Sequence, residues 1–153
     1  MLEKIKAWLR ENGVAFDERH HEPTPTSEDA ARARGEELRT GGKALLLKVD
    51  DGFKLFVLSA ALKLDSKKIK QHLNARKTRF ATREELFELT GLVPGAVPPF
   101  GRPITPFELY VDSSITRNER IAFNAGSLTD SLILQVPDYL RLARGEVFDF
   151  SGD

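Results

Sequence analysis

Two apolar runs, residues 43–49 and 53–60, stand on either side of Asp50-Asp51-Gly52 and constrain the fold more than any other feature. The pattern predicts two antiparallel strands joined by a tight turn. Leu45 and Leu47 project to one face of the first strand, and Leu46 and Lys48 to the other. Apolar residues on both faces need cover on both, which places this hairpin inside a sheet and not at its margin.

The rest of the chain has to supply that cover. It is 153 residues long, the size of a single domain. With no cysteine, it has no disulfide framework, thiolate zinc site or cysteine nucleophile. No purely apolar run exceeds four residues, and the first residues mix Glu3, Lys4 and Lys6 with apolar ones in no signal-peptide layout. The expectation is a soluble cytoplasmic protein that does not engage a membrane. Lys+Arg and Asp+Glu number 23 each, so a nucleic-acid partner would have to be met by a local basic patch.

Leu2, Ile5, Trp8 and Leu9 recur at helical spacing over residues 1–12, with Gly13 at the position of a left-handed cap. Val14 and Phe16 alternate as a short strand. Thr26 with Asp29 opens a helix over 28–34 that Gly35 ends. Asp65 caps a helix over 66–73, residues 78–81 form a short strand, and Thr82 with Glu85 caps a helix that runs to Gly91. Strands follow at 108–112, 120–124 and 131–136. Pro137 then starts a helix over 138–144, and Val147, Phe148 and Phe150 close the domain. Hairpins without regular βαβ repeats give an α+β domain: a mixed, mostly antiparallel sheet with helices packed around it.

Familiar sites fail on spacing. Gly41-Gly42-Lys43 lacks the leading glycine and the trailing Ser or Thr of a phosphate loop. No Gly-x-Gly-x-x-Gly opens a helix, no Gly-x-Ser-x-Gly is present, and His20, His21 and His72 do not form a zinc motif. Four features remain, each with two readings. Lys43 opens the first strand of the hairpin, either as a snorkelling side chain or as a partly desolvated cation able to hold a phosphate or carbonyl oxygen. Residues 91–106 hold Pro94, Pro98, Pro99, Pro103 and Pro106 among Gly91, Gly95 and Gly101, either as a rigid crossover or as a loop presenting backbone donors. Asn124-Ala125-Gly126-Ser127 is either a plain turn or a ligand contact. Lys63, Lys67, Lys68, Lys70, Arg76, Lys77 and Arg79, opposed only by Asp65, form either a solvated face or a phosphate-binding one.

Taken together these residues resemble the YbaK / prolyl-tRNA-synthetase-associated domain family. The stretch from Thr90 to Gly101 is similar to the family's Thr-Gly pair, its Gly-x-x-x-Pro element at Gly95 and Pro99, and its closing glycine. Lys43-Ala44-Leu45 resembles its lysine-led strand, and Leu64-Asp65 with Lys67-Lys68 its helix start. Residues 21–35, with Thr24 and Thr26, resemble the loop that walls its amino-acid pocket, and residues 124–128 its small-residue turn.

The resemblance implies a stand-alone editing domain that hydrolyses the ester between an amino acid and the terminal ribose of a mischarged tRNA, without a cofactor. Lys43 would hold the terminal phosphate or the carbonyl end of the substrate, and backbone N–H groups around Gly95 would stabilise the oxyanion. Thr24, Thr26, Pro99, Gly101, Asn124, Gly126 and Ser127 would bind substrate, while Lys63, Lys67, Lys68, Arg76 and Lys77 would meet the tRNA. A synthetase is a further expected partner. Asn124 replaces the histidine of an alanine-clearing subgroup, and Ser127 stands where cysteine-clearing relatives carry aspartate. The amino acid removed therefore stays open among Ala, Cys and Ser.

Overall fold

The computed structural model describes residues 1–23 and 26–153. In chain order the elements are α1 (Leu2–Glu11), β1 (Asp17–His20), α2 (Ser27–Arg34), a 3-10 turn (Leu38–Thr40), β2 (Gly42–Val49) and β3 (Gly52–Ser59). Then come β4 (Lys63–Leu64), α3 (Ser66–Leu73), β5 (Thr78–Phe80), α4 (Arg83–Thr90) and β6 (Glu108–Asp112). The chain finishes with α5 (Ser113–Thr116), β7 (Arg120–Asn124), β8 (Asp130–Gln135), α6 (Val136–Ala143), β9 (Glu146–Phe148) and β10 (Ser151–Gly152).

The apolar hairpin sits where its pattern requires. Val49 pairs with Gly52 across the turn, and the five-stranded sheet runs β5-β2-β3-β6-β9, parallel at β3–β6 and β6–β9 and otherwise antiparallel. Its two faces are covered by separate cores. Leu46, Leu55 and Val57 pack with Phe100, Phe123 and Tyr139 on one side. Leu47, Phe56 and Leu58 pack with Ile69 and Phe150 on the other. A smaller antiparallel sheet, β1-β8-β7, leans on the first core, and a bridge from Gly41 to Ala122 ties it to the entrance of β2. Among the described residues no helix is long and apolar enough to cross a membrane.

Helix starts follow local chemistry. The Thr26 and Asp65 side chains accept from the Asp29 and Lys67 N–H groups, and Thr82 and Glu85 form a reciprocal capping box. Glu85 also binds Arg79 at 2.8 Å, and together these donors draw its carboxyl down to about 2. A carboxyl depressed by folding stabilises the fold above its unfolded range near 4.5 and loses that contribution as pH falls towards 2. Glu85→Gln is therefore expected to flatten the acid limb of an unfolding curve over that window, as followed by circular dichroism; an unchanged limb would refute the linkage.

One expectation about the strands needs correcting. The strand at Val14 and Phe16 lies instead at Asp17–His20, because pairing with β8 selects those residues while Val14 simply buries into the core. Directly after β6 comes a four-residue helix, α5, which the sequence pattern does not announce. Its cap Asp112 is fully buried and accepts from the N–H groups of Ser114 (3.0 Å) and Phe150 (2.7 Å). Burial pushes the Asp112 carboxyl up, but the hydrogen bonds from Ser114, Phe150 and Ser151 outweigh it and hold the group below its ordinary range.

Candidate active site

β5 covers β2 only from Leu47 to Val49, leaving the strand's first residues open along one edge. A cleft of about 580 Å³ lies there. Lys43 to Leu45 line it from β2, Thr26, Ala30 and Arg34 from α2, and Arg83 from the start of α4. Pro94 and Gly95 close one side, and Asn124 with Leu128 the other. The lining holds three cations and, among the described residues, no carboxylate, imidazole or thiol.

Lys43 is half-buried. Burial draws its ammonium below the ordinary lysine range; the charge of Glu28 opposes this and that of Lys63 adds to it. Opposite stands Arg34, which residue type and position alone would assign to a favourable interaction with the end of α2. Its Nε donates to Ser131 Oγ at 2.8 Å and its Nη2 to Asn124 Oδ1 at 3.0 Å. Neither acceptor is charged, and burial brings the guanidinium down to about 10. The Asn124 amide in turn donates to the Gly95 carbonyl at 2.8 Å. His21 Nε2 lies 2.8 Å from Ser131 Oγ, so one hydrogen-bonded chain runs from His21 through Ser131 and Asn124 to Gly95.

Gly95 occupies the third position of a turn closed by the Ala96 N–H on the Val93 carbonyl at 3.1 Å. Pro94 in second place and a φ of +88° at Gly95 make the pattern of a type II turn, which excludes a β-carbon without strain. The Gly95 N–H donates to no protein acceptor among the described residues, so it is available at the mouth of the cleft.

Lys43, Gly95, Thr26 and Asn124 thus border one cavity, while Pro99, Gly101, Gly126 and Ser127 do not. Pro99 is buried with its carbonyl accepting from the Tyr139 hydroxyl at 2.6 Å, which anchors the proline-rich loop to α6. Gly101 admits a close approach: a β-carbon there would lie 2.5 Å from the Phe107 carbonyl oxygen. Gly126 faces the Met1 side chain and donates its N–H to Ala96 at 2.8 Å, bracing the Gly95 turn from behind. The Ser127 hydroxyl is engaged by Asp130 at 2.9 Å and by the Thr129 N–H at 2.9 Å, closing its own turn. Thr24 lies outside the described residues.

Of the expected tRNA cations, none lines the cleft. Lys63 and Lys67 are exposed, Arg76 and Lys77 border a separate groove, and Lys68 is occupied by Asp149 (3.2 Å) and the Ser151 carbonyl (2.7 Å). Glu18, His20 and Asp130 bring ligand atoms within 4.8 Å of one another. There, however, Lys6 pairs with Glu18 at 2.8 Å, and Asp130 already accepts from Ser127 and Thr129, so the group acts as a surface ion-pair cluster.

Residues 21–142 match the aminoacyl-tRNA editing domain family. The chain belongs to that family. The editing domain is 35% identical over 154 residues to the E. coli K12 protein named multifunctional Ser/Thr-tRNA deacylase ProXp-y, covering 97% of this chain and 91% of that one. It is 36% identical over 100 residues to the proline–tRNA ligase of Shouchella clausii, covering 65% of this chain and 17% of the ligase. A solved structure described as a trans-editing enzyme for prolyl tRNA synthetase superposes with a TM-score of 0.85 at 26% identity, over 99% of this chain and 97% of that one. Hypothetical protein APE2540, with a TM-score of 0.87 at 23% identity over 97% and 99% of the two chains, shares the fold.

Proposed function

We propose that this editing domain is a stand-alone deacylase that hydrolyses the ester between a small amino acid and the terminal ribose of a mischarged tRNA. The observation that carries the proposal is a cleft with cations and a spare backbone donor but, among the described residues, no carboxylate, imidazole or thiol to act as base. In such a site rate comes from orientation and from stabilising the negative charge that develops on the carbonyl oxygen. Water adds to the ester carbonyl, the Gly95 N–H and the Lys43 ammonium meet the oxyanion, and the bond to the ribose oxygen then breaks. The neighbouring ribose hydroxyl of the substrate relays the water proton to the departing oxygen, leaving free amino acid and tRNA.

Ala30, Ala44 and Ala60 line the cleft with short side chains, which suits a small aminoacyl group. Shape alone separates neighbours weakly, since one methylene is worth about 1–3 kcal/mol. The relative named for Ser and Thr makes those two esters the first to test, and the ligase relative makes tRNA specific for proline the first carrier. The ligase holds the matching segment within a much longer chain, and by this proposal the present domain does the same work in trans, with a synthetase as a further partner.

The test is a deacylation panel of Ser-, Thr-, Ala- and Cys-charged tRNAs at low enzyme concentration. Release of amino acid from at least one ester, at a rate well above the uncatalysed one, is expected. Binding of charged and uncharged tRNA alike with no release from any would leave a tRNA-binding module instead.

A further inference from the structure

We propose that the β5 edge of the large sheet is the track along which the single-stranded 3′ end of the RNA reaches the cleft, with Phe80 as a stacking platform for one base. This deepens the deacylase proposal and rests on it for the identity of the strand. Residues 77–83 run antiparallel to β2 and join two cationic places. At one end Lys77 and Arg79 border a groove of about 450 Å³ with Lys48, Lys70 and Arg76. At the other end Arg83 lines the cleft.

The groove is electropositive by construction. Asp50 is its one carboxylate among the described residues, and its Oδ1 is taken up by the N–H groups of Arg76 and Lys77, both at 2.9 Å. Arg79 is paired with Glu85, whereas Lys48, Lys70, Arg76 and Lys77 form no ion pair among the described residues. Lys48 lies five positions along β2 from Lys43, roughly 17 Å at strand rise, and projects to the opposite face, so a path from the groove to the cleft crosses over the β5 edge. An unpaired RNA strand can bridge that span with its phosphates in the groove and its acylated end in the cleft.

Between the two places stands Phe80, which is 59% exposed. It pairs with Leu47, so it projects to the same face of the sheet as Leu47, Leu45 and Lys43. Phe87, also 59% exposed, lies one turn beyond Arg83 on the same side of α4. Phenylalanine is among the residues most often buried, yet here two rings face solvent beside two cationic surfaces. Cationic grooves combined with aromatic platforms are the elements that hold single-stranded nucleic acid without reading its sequence. β5 itself is three residues long and flanked by charge, a poor edge for adding a strand from another protein.

The experiment measures affinity for an uncharged RNA hairpin with an unpaired 3′ end, together with hydrolysis of two esters: the full mischarged tRNA and an aminoacyl-adenosine that fills the cleft alone. Phe80→Ala is expected to weaken hairpin affinity about 5- to 100-fold, to raise KM for the tRNA ester correspondingly, and to leave the adenosine ester unchanged. Phe80→Trp restores binding and Phe80→Leu does not. The double variant Arg76→Ala, Lys77→Ala is expected to flatten the slope of log affinity against log salt by about 1.4, two phosphates' worth for a single strand. Unchanged hairpin affinity in Phe80→Ala overturns the track, as does equal loss on both esters. So does a wild-type dimer that dissociates on Phe80→Ala at constant RNA affinity, since the ring would then serve self-association. A wild type that shows the Phe80 and salt effects yet cleaves neither ester leaves the track standing and removes the deacylase.

Discussion

Lys43→Ala is expected to lower kcat/KM for the mischarged tRNA by about 10²–10³, the range seen when one donor to a developing oxyanion is removed. The loss belongs mainly to kcat, because the contact strengthens as charge accumulates on the carbonyl oxygen. Lys43→Arg does not recover it: a planar fork on a longer stem cannot take the place of a compact ammonium in a half-buried cleft. The same cation sets the alkaline limb. Its folded-state pKa lies below 10.5, so activity above the uncatalysed rate is expected to decline at a pH lower than ordinary lysine titration would give. The sign for stability is the opposite of a salt bridge. Folding disfavours the charged form, so the cost is fully present below the folded pKa and fades as pH rises towards 10.5. Lys43→Met should thus fold at least as stably as wild type at neutral pH. Full activity in Lys43→Ala would remove the mechanism.

Arg34→Met is expected to separate stability from activity. The guanidinium is partly buried against neutral acceptors, so replacing it with an apolar side chain of similar reach leaves the denaturation midpoint unchanged or higher. Yet Asn124 loses one of the two donors to its carbonyl, keeping only the Ser131 hydroxyl at 3.1 Å, and the hold of its amide on the Gly95 turn loosens. A displacement of about 1 Å at a positioned donor costs about 10²-fold in rate, and that is the fall expected in single-turnover deacylation. Arg34→Lys keeps the charge but cannot reach Ser131 and Asn124 together, so it should resemble Arg34→Met in rate. A midpoint that collapses in Arg34→Met while the residual folded fraction stays fully active would make Arg34 a structural residue only.

These two residues also mark how far the chain could be read from its letters. Lys43 and Gly95 were legible because their signals are local: a lysine at the mouth of an apolar strand, and glycine after proline in a turn. The hairpin, the Thr26, Asp65 and Thr82 caps and the strands at Glu108–Asp112 and Arg120–Asn124 were legible for the same reason. Arg34 was not, since its acceptors at Ser131 and Asn124 lie 97 and 90 residues away and nothing near it in sequence announces them. β1 was misplaced by a similar cause: Glu18, Arg19 and His20 carry no strand pattern and extend only because β8 offers them a partner. Pro99 and Gly101 belong to a stretch that resembles the family, but there they serve anchoring and close packing and not contact with the cleft.

Phe150 closes the second core by packing edge-on against Phe56 at 5.4 Å, with its N–H held by buried Asp112 and β10 paired to β4 beside it. During synthesis the ribosome releases that ring long after Phe56, Leu58 and Ile69 have emerged. A nascent chain therefore carries a bare apolar face until that ring has emerged, a vectorial delay during which the unfinished core is exposed to aggregation.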